Sequence, residues 1–260
     1  MRKLSENLQK QSLIALLLFI TVTTAAAENR NQNLRLTGSA TLTSNGLSTF
    51  PNLTLGKPAA VFDFTIGGER FRLDPILRFG LDGKPWTFIF WLRYDAIKTE
   101  KFGLRFGAHP AYAFRTIQSM PNGQETDILR TYQFLAGEIA PIFRVTKNIS
   151  LGPYYILAHG VDKDVVRFSN FLSFMTNISN IQLTEKIYSN LMAQVYFLKM
   201  DDSSGIYYNS TLSLNKRNFP VSLSSTINKA IDSNIPGEKF LWNINLSYRF
   251  GGVFRPVLPN

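Results

Sequence analysis

The sequence contains no cysteine among its 260 residues, and this absence excludes several kinds of structure. A chain without thiols forms no disulfide and no thiolate metal centre, and it has no cysteine to carry an N-terminal lipid. Histidine is also scarce, with two residues, His109 and His159. The composition therefore excludes a disulfide-stapled scaffold and leaves few side chains for a histidine-based site.

Long apolar runs are equally scarce, and the clearest one lies near the N-terminus. Arg2 and Lys3 come first, the apolar stretch 13–20 follows, and Ala25-Ala26-Ala27 gives an A-x-A cleavage pattern. These are the three parts of a secretory signal. The alternative is a membrane anchor helix, but crossing the hydrocarbon takes roughly 20 apolar residues, and this stretch is shorter. We predict a cleaved signal peptide at 1–27 and a single domain at 28–260.

Alternation of apolar and polar residues is frequent, and segment 240–250 shows it most clearly. One face carries Phe240, Trp242, Ile244, Leu246, Tyr248 and Phe250, and the other carries Asn243, Asn245, Ser247 and Arg249. Period two predicts a strand with one apolar face and one wet face. The pattern recurs in segments 34–42, 71–79, 86–94, 102–109 and 206–214. Turn signals such as Asp82-Gly83 and Pro236-Gly237 separate the segments.

The fold predicted from this pattern is all-β: a closed, antiparallel, up-and-down transmembrane β-barrel of about 12 strands, with 10 possible. Lipid supplies no hydrogen-bond partners, so a membrane sheet must close on itself. Aromatic residues near the segment ends, among them Trp86, Tyr94, Tyr154 and Tyr207, predict belts at the membrane interfaces. A soluble β-sandwich also alternates, so a periplasmic β-domain that binds a ligand or partner stays open as an alternative.

The last strand resembles the C-terminal recognition strand of Gram-negative outer-membrane β-barrels. Asn243 is the polar member, Leu246 is one of the alternating apolar residues, and Tyr248 and Phe250 form the terminal aromatic pair. Asn245 departs from the pattern, where glycine is common, and the chain continues after Phe250. The whole chain is similar to small barrels of Bacteroidetes-like bacteria. The resemblance implies the outer membrane of a Gram-negative bacterium after signal-peptide cleavage, with the barrel-assembly machinery as a partner.

The net charge of +10, with a pI near 9.8, bears on partners. In a cytosolic protein this excess of positive charge would suggest nucleic acid as a partner. An exported chain does not encounter nucleic acid, so we expect no nucleic-acid partner. We expect the positive charge to face outer-membrane lipid headgroups, lipopolysaccharide phosphates or anionic solutes. Because the basic residues are scattered, an ordinary solvated surface is the alternative.

The predicted inner face carries a row of charged residues. The candidates are Arg35, Arg72, Asp74, Arg78, Arg93, Arg105 and Arg249. A charge inside a narrow barrel must be hydrated or paired. One hypothesis is an anion-preferring, water-filled pore; the other is an arginine–carboxylate ladder that fills the lumen, with Asp74 and Glu138 as partners.

Signals for catalysis are weak. Outer-membrane acyl hydrolases known to us carry a serine two positions from the histidine, and neither His109 nor His159 has one. His159, Asp162 and Asp164 could surround a cation, but a polar turn explains them equally well. We expect no catalytic, cofactor or metal site. The leading hypothesis is a non-enzymatic outer-membrane barrel, either a small passive porin-like channel or a structural, surface-contact protein. A membrane-embedded lipid-modifying enzyme is the alternative, and the sequence does not predict the oligomeric state.

Overall fold

The computed structural model describes residues 34–119 and 125–254, which form a closed barrel of twelve antiparallel strands. The strands are β1 (Leu34–Thr43), β2 (Ala59–Gly67), β3 (Phe71–Gly80), β4 (Pro85–Lys98), β5 (Phe102–Ser119), β6 (Thr126–Arg144), β7 (Ile149–Gly160), β8 (Phe168–Gln182), β9 (Ile187–Met200), β10 (Ser203–Lys216), β11 (Val221–Ser233) and β12 (Phe240–Phe254). The prediction of an all-β barrel with about 12 strands is confirmed. The predicted signal peptide, 1–27, lies outside the described residues.

Each strand pairs with its neighbours along the chain, and β1 closes the ring by pairing with β12. Leu34 lies opposite Phe254, so the barrel has a terminal end and an opposite, loop end. Five short turns connect the strands at the terminal end: 68–70, 99–101, 145–148, 183–186 and 217–220. The loop end carries L1 (44–58), L4 (161–167) and L6 (234–239), which are its first, fourth and sixth connections.

L1 contains a short 3-10 helix, Pro51–Leu53. Among the described residues, no helix is long and apolar enough to cross a bilayer.

The two faces of β12 show how the alternation is used. Trp242 and Leu246 point outward and are 54% and 50% exposed, whereas Asn243 between them is 6% exposed and points into the lumen. Its amide donates to Thr43 Oγ1 on β1 at 3.1 Å. Because side chains alternate along a strand, an apolar outer wall and a polar inner wall follow from the sequence.

The seam between β1 and β12 is covered by an aromatic ring on the outer wall. A Cβ atom at Gly38 would lie 2.8 Å from the ring of Phe250, so only glycine leaves room for this ring. The ring of Phe250 also contacts that of Phe64 on β2, with 6.0 Å between centroids. An aromatic side chain over a strand glycine compensates for the missing side chain and fixes the register.

β5 extends beyond the predicted segment 102–109 and ends at Ser119. Pro110 pairs with Leu135, whose exposed side chain marks the outer face. Proline lacks an N–H for the ladder, and the β4–β5 pairing skips from Ile89↔Ala111 to Leu92↔Ala108 at this point. The strand nevertheless continues, because its pairing with β6 is unbroken from Phe102 to Ser119.

Candidate functional site in the barrel lumen

A group of paired charges lines one side of the lumen, on β3, β4, β5 and β6. We call it the ion-pair cluster, and its members are Arg72, Asp74, Arg93, Asp95, Arg105 and Glu138. Three arginines face three carboxylates, so the formal charges sum to zero (3 − 3 = 0). Four of the sequence-predicted inward candidates belong to this cluster, and Asp95 was not among the candidates.

Asp74 sits between two arginines of neighbouring strands. Arg72 Nε donates to Asp74 Oδ2 at 3.0 Å, and Arg93 Nη1 donates to the same oxygen at 2.9 Å. Arg72 and Arg93 are directly opposite each other in the β3–β4 register. Like charges in that position repel, and the shared carboxylate offsets this repulsion.

Glu138 extends the cluster across β6 to β7. It accepts a hydrogen bond from Arg93 Nε at 2.9 Å and another from the Tyr154 hydroxyl at 2.6 Å. Its side chain is 1% exposed. Gly107 is its partner on β5, and a Cβ atom there would lie 2.8 Å from the Glu138 side chain. The glycine therefore makes the room that this buried carboxylate occupies.

Asp95 completes the cluster toward the terminal end. Its two oxygens accept hydrogen bonds from different residues: Arg72 Nη1 at 2.7 Å and Arg105 Nε at 2.9 Å. The side chain of Arg105 is 30% exposed, which makes it the most exposed arginine of the cluster. The side-chain exposure of the carboxylates falls from 17% at Asp95 to 1% at Glu138, so the cluster is most buried at its Glu138 end.

The other three inward candidates lie outside the cluster. Arg78 is on the inner face of β3, with its Cζ 5.1 Å from the ring centroid of Trp86. Arg249 donates to Asn215 Oδ1 on β10. Arg35 is exposed at the terminal end of β1. Within the described ranges, Arg35 and Arg249 form no ion pair.

Apart from Arg249, the described polar side chains on the inner wall of β8 to β12 are uncharged. Asn209, Asn228 and Asn243 are 4%, 2% and 6% exposed, so they are shielded from water. Asn228 Oδ1 lies 2.9 Å from the hydroxyl of Tyr196 on β9. Amides and hydroxyls satisfy one another here, whereas β3 to β6 use charges.

L1 is anchored on the β4–β5 side of the loop end. Trp86 Nε1 donates to the Leu53 carbonyl at 2.7 Å, and Arg115 donates to the Asn52 carbonyl. Trp86 is 5% exposed because L1 covers it. It therefore holds a loop instead of contributing to an outer aromatic belt.

L1 also reaches the opposite side of the ring. The Tyr196 hydroxyl on β9 lies 3.1 Å from the Thr49 carbonyl, and the ring of Phe50 lies 6.0 Å from that of Phe171 on β8. L1 leaves the barrel between β1 and β2, and β8 is five strands from β1 and six from β2 in the twelve-strand ring. The loop therefore crosses the lumen at the loop end.

L4 and L6 support L1. Val166 of L4 and Ile235 of L6 pack with the buried cluster that contains Phe171 and Tyr196. A Cβ atom at Gly237 of L6 would lie 3.2 Å from Pro51. The three loops together form a lid, which we define as L1, L4 and L6.

A cavity of about 470 Å³ lies beneath the lid, inside the barrel. Aliphatic and aromatic side chains line most of it, including Ile89, Trp91, Phe134, Ile156 and Phe171. Trp91 and His109 meet at its wall with ring centroids 4.0 Å apart. We call this space the chamber; the lid forms its roof.

Some polar atoms at the chamber wall have no hydrogen-bond partner within the described part of the chain. They are Thr87 Oγ1, His109 Nδ1 and Asn52 Oδ1. Thr87 is 6% exposed, so its hydroxyl is not compensated by open solvent. Buried polar groups are normally paired, so these three atoms stand out in a mainly apolar wall that also carries Arg78, Arg115, Asp164 and Gln194.

The register of the described strands gives the cross-strand neighbours of the two histidines. In the described pairings His109 lies opposite Ala136, and His159 lies opposite Leu135 and Phe168, so neither faces a serine across a strand. His159 points outward, with its ring 4.9 Å from that of Phe168.

The loop residues that raised the question of a cation make other contacts. Asp162 accepts from the Gln133 N–H at 2.7 Å, and Asp164 pairs with Arg130 at 2.6 Å. Among residues 34–119 and 125–254, no group of three or more acidic or histidine side chains could hold a metal ion.

Two tyrosines of the predicted interfacial belts lie inside the barrel, so that prediction is wrong for them. Tyr154 binds Glu138, and Tyr207 is 2% exposed and stacks on Tyr196 with centroids 4.9 Å apart. Sequence reasoning also missed Trp91 and Phe50. Ile89 and Trp91 on the polar face of β4 were the available signal, because apolar residues there indicate a dry section of lumen.

No protein-family model and no curated protein matches the chain. Among solved structures, an outer membrane channel from Pseudomonas putida F1 has a TM-score of 0.50 at 12% identity, covering 85% of this chain and 96% of that one. LpxR from Salmonella typhimurium has a TM-score of 0.46 at 11% identity, with coverages of 82% and 99%. OmpT, an outer membrane protein of Vibrio cholerae, has a TM-score of 0.39 at 8% identity, with coverages of 84% and 97%. The likeness to the Pseudomonas putida channel agrees with the closed twelve-strand ring, so the chain has the fold of outer-membrane β-barrels.

Proposed function

We propose that the protein is a non-enzymatic outer-membrane barrel that acts as a narrow passive channel, closed at its outer mouth by L1. The observation that carries this proposal is the path of L1, which crosses the lumen and is held on both sides, by Trp86 and by Tyr196. A loop in this position limits the size of any solute that passes. For the channel to open, L1 would then have to break only a few contacts.

The outer wall supports a membrane location. Leu172, Phe174 and Trp242 are 49%, 54% and 54% exposed, and such side chains on every side of a soluble protein would favour aggregation. In outer-membrane barrels the short turns face the periplasm and the longer loops face outward. The terminal end is thus the periplasmic end, and the lid faces the medium.

Anion preference, in this proposal, arises at the periplasmic end. The ion-pair cluster is neutral, so its arginines add no excess positive charge to the path. Three inward candidates form no ion pair in the described ranges, and two of them, Arg35 and Arg249, lie toward the periplasmic end, whereas Arg78 lies near the loop end beside Trp86. Replacing Arg35 and Arg249 with glutamate should reverse a weak anion preference, measured as a reversal potential across a salt gradient.

Conductance in planar lipid bilayers tests the channel. We expect small, infrequent openings for the native protein and a several-fold larger conductance when residues 48–54 are replaced by a Gly-Ser linker of equal length. Tyr196→Phe should raise the open probability without changing the open size, because it removes one anchor. A matched control replaces the terminal-end turn 183–186 with the same type of linker. If the conductance of the L1 replacement is no larger than that of this control, the proposal of a channel closed by L1 is wrong.

A further inference from the structure

We propose that the chamber is a binding site for a small, mainly apolar molecule that carries one hydrogen-bonding group. This inference concerns the same lumen as the proposed channel, but it does not require that ions pass. It rests on the composition of the chamber wall, on three unpartnered polar atoms and on the lid.

The wall has the chemistry of a binding pocket for apolar solutes. Aromatic rings come from Trp91, Phe134 and Phe171, and flexible thioethers come from Met175 and Met192. Methionine adapts to ligands of differing shape. A volume of about 470 Å³ falls in the range of small-molecule pockets, which is roughly 300–1,000 Å³. A lumen meant to carry only water and ions has no need of such a wall.

The polar atoms specify where the ligand's polar group would sit. Thr87 Oγ1 can donate or accept, and His109 Nδ1 and Asn52 Oδ1 add further capacity at the wall. Thr87 lies opposite Ala113 and two residues from Ile89 on the inner face of β4, so its hydroxyl points toward the chamber. A hydroxyl or amine on the ligand would supply the partner that this buried hydroxyl lacks.

The position of the chamber indicates the source of the ligand. Its roof is made by loop residues, among them Phe50 and Leu53 of L1 and Val166 of L4, whereas its walls are strands paired in the ring. A ligand that enters through the lid therefore comes from the medium. The ligand is a free solute, and an acyl chain of a neighbouring lipid is the alternative that the experiment must separate.

The chain provides its own reporter for binding. It has three tryptophans: Trp91 lines the chamber, Trp86 holds L1, and Trp242 is on the outer wall. In a Trp242→Phe background, which leaves the L1 anchor Trp86 in place, the fluorescence of Trp91 and Trp86 reports on the chamber and its lid. N-phenyl-1-naphthylamine is a suitable probe, because it is apolar, carries one N–H and accepts energy from tryptophan.

The experiment titrates this probe into the barrel in lipid nanodiscs. We expect saturable energy transfer from Trp91 and Trp86, and about tenfold weaker binding in Ala136→Phe, which places a ring in the chamber. The matched control is Leu135→Phe, one position away on the outer face of β6, which should bind like the parent. Thr87→Val keeps the shape but removes the hydroxyl, and it should weaken binding several-fold.

The opposite results would overturn the proposal. Energy transfer that rises linearly without saturation, and equally in Ala136→Phe and Leu135→Phe, would mean that the probe only dissolves in lipid. Saturable transfer that is lost in Leu135→Phe but kept in Ala136→Phe would place the site on the outer wall, against an acyl chain. The boiled and unboiled gel mobility of each variant verifies folding. If Trp242→Phe does not fold, the difference between Ala136→Phe and Leu135→Phe is measured with all three tryptophans present.

The outcome is separable from that of the channel. Saturable binding in a barrel that never conducts would retain the chamber and remove the channel. Conduction by the L1 replacement without saturable binding would support the channel and contradict the chamber as a binding site.

Discussion

Removing the carboxylate of Glu138 tests whether the ion-pair cluster is dry, as the structure shows, or hydrated, as in a wide pore. Glu138→Ala leaves Arg93 with Asp74 as its remaining partner and leaves the Tyr154 hydroxyl without its acceptor. Breaking a buried ion pair on one side costs about 3–5 kcal/mol. A solvent-exposed pair is worth about 0–1 kcal/mol.

The exposure of the side chains decides between these limits. Glu138 is 1% exposed and Arg93 is 19% exposed at the side chain, so Glu138 is buried and Arg93 is largely shielded from water. We therefore expect Glu138→Ala to lower the free energy of unfolding by about 3 kcal/mol. Glu138→Gln keeps the shape and an acceptor but loses the charge, and it should cost about half as much.

The assay is urea unfolding of the barrel in lipid vesicles, followed by tryptophan fluorescence. Glu100→Ala is the matched control, because Glu100 is an exposed residue in the turn 99–101 at the terminal end. Its effect should stay within about 0.5 kcal/mol. A Glu138→Ala effect no larger than that of the control would show that water fills the lumen, and the reasoning from burial would be refuted. A double variant with Arg93→Ala should recover part of the loss.

Three further predictions concern other parts of the barrel. Leu246→Arg places a charge on the lipid face in the middle of β12 and should cost about 2–4 kcal/mol in vesicle unfolding, and a negligible effect would contradict a membrane-facing wall. Tyr196→Phe removes an L1 anchor and should make L1 more sensitive to limited proteolysis, with barrel unfolding changed by about 1 kcal/mol. Hydrogen bonds from the Phe168 and Arg167 N–H groups lower the pKa of Asp201, in the turn 201–202, below its usual value of 3.8. A lowered folded pKa means stability that is present above the unfolded pKa and lost as pH falls through the folded pKa. Protease resistance of L4 should therefore persist at pH 5 and decline below pH 3.8, whereas Asp201→Asn should show no such decline.

The strands could be predicted from sequence because each one repeats the same local rule. In β12, the six outward residues of segment 240–250 alternate with inward Asn243 and Arg249, and no distant contact is needed to assign their faces. β5 was cut short in the prediction because Ala111 and Ala113 give no apolar contrast after Pro110. Small residues there leave space for the chamber.

The site was less predictable because it depends on register and on a loop. Arg72 and Asp74 are two positions apart, so their common face follows from sequence. Their contact with Arg93 requires the β3–β4 register, and the Arg93–Glu138 pair joins residues 45 positions apart. The contact of Thr49 with Tyr196 spans 147 positions, and no pattern within L1 indicates it. Tertiary contacts of this kind carry no local signal.

The pairing of β1 with β12 has a consequence for how the barrel forms. Every other pair joins strands that follow each other in the chain and can form as a hairpin, whereas Leu34 meets Phe254 across 220 positions (254 − 34 = 220). Contacts between distant residues form slowly, because the chain between them must first be ordered. Until they do, the sheet has two open edges that can pair with other chains. Closure is thus the step that completes assembly. A chain that stalls before its last strand is added keeps two unpaired sheet edges. Until the barrel closes, these edges expose it to aggregation with other copies of itself.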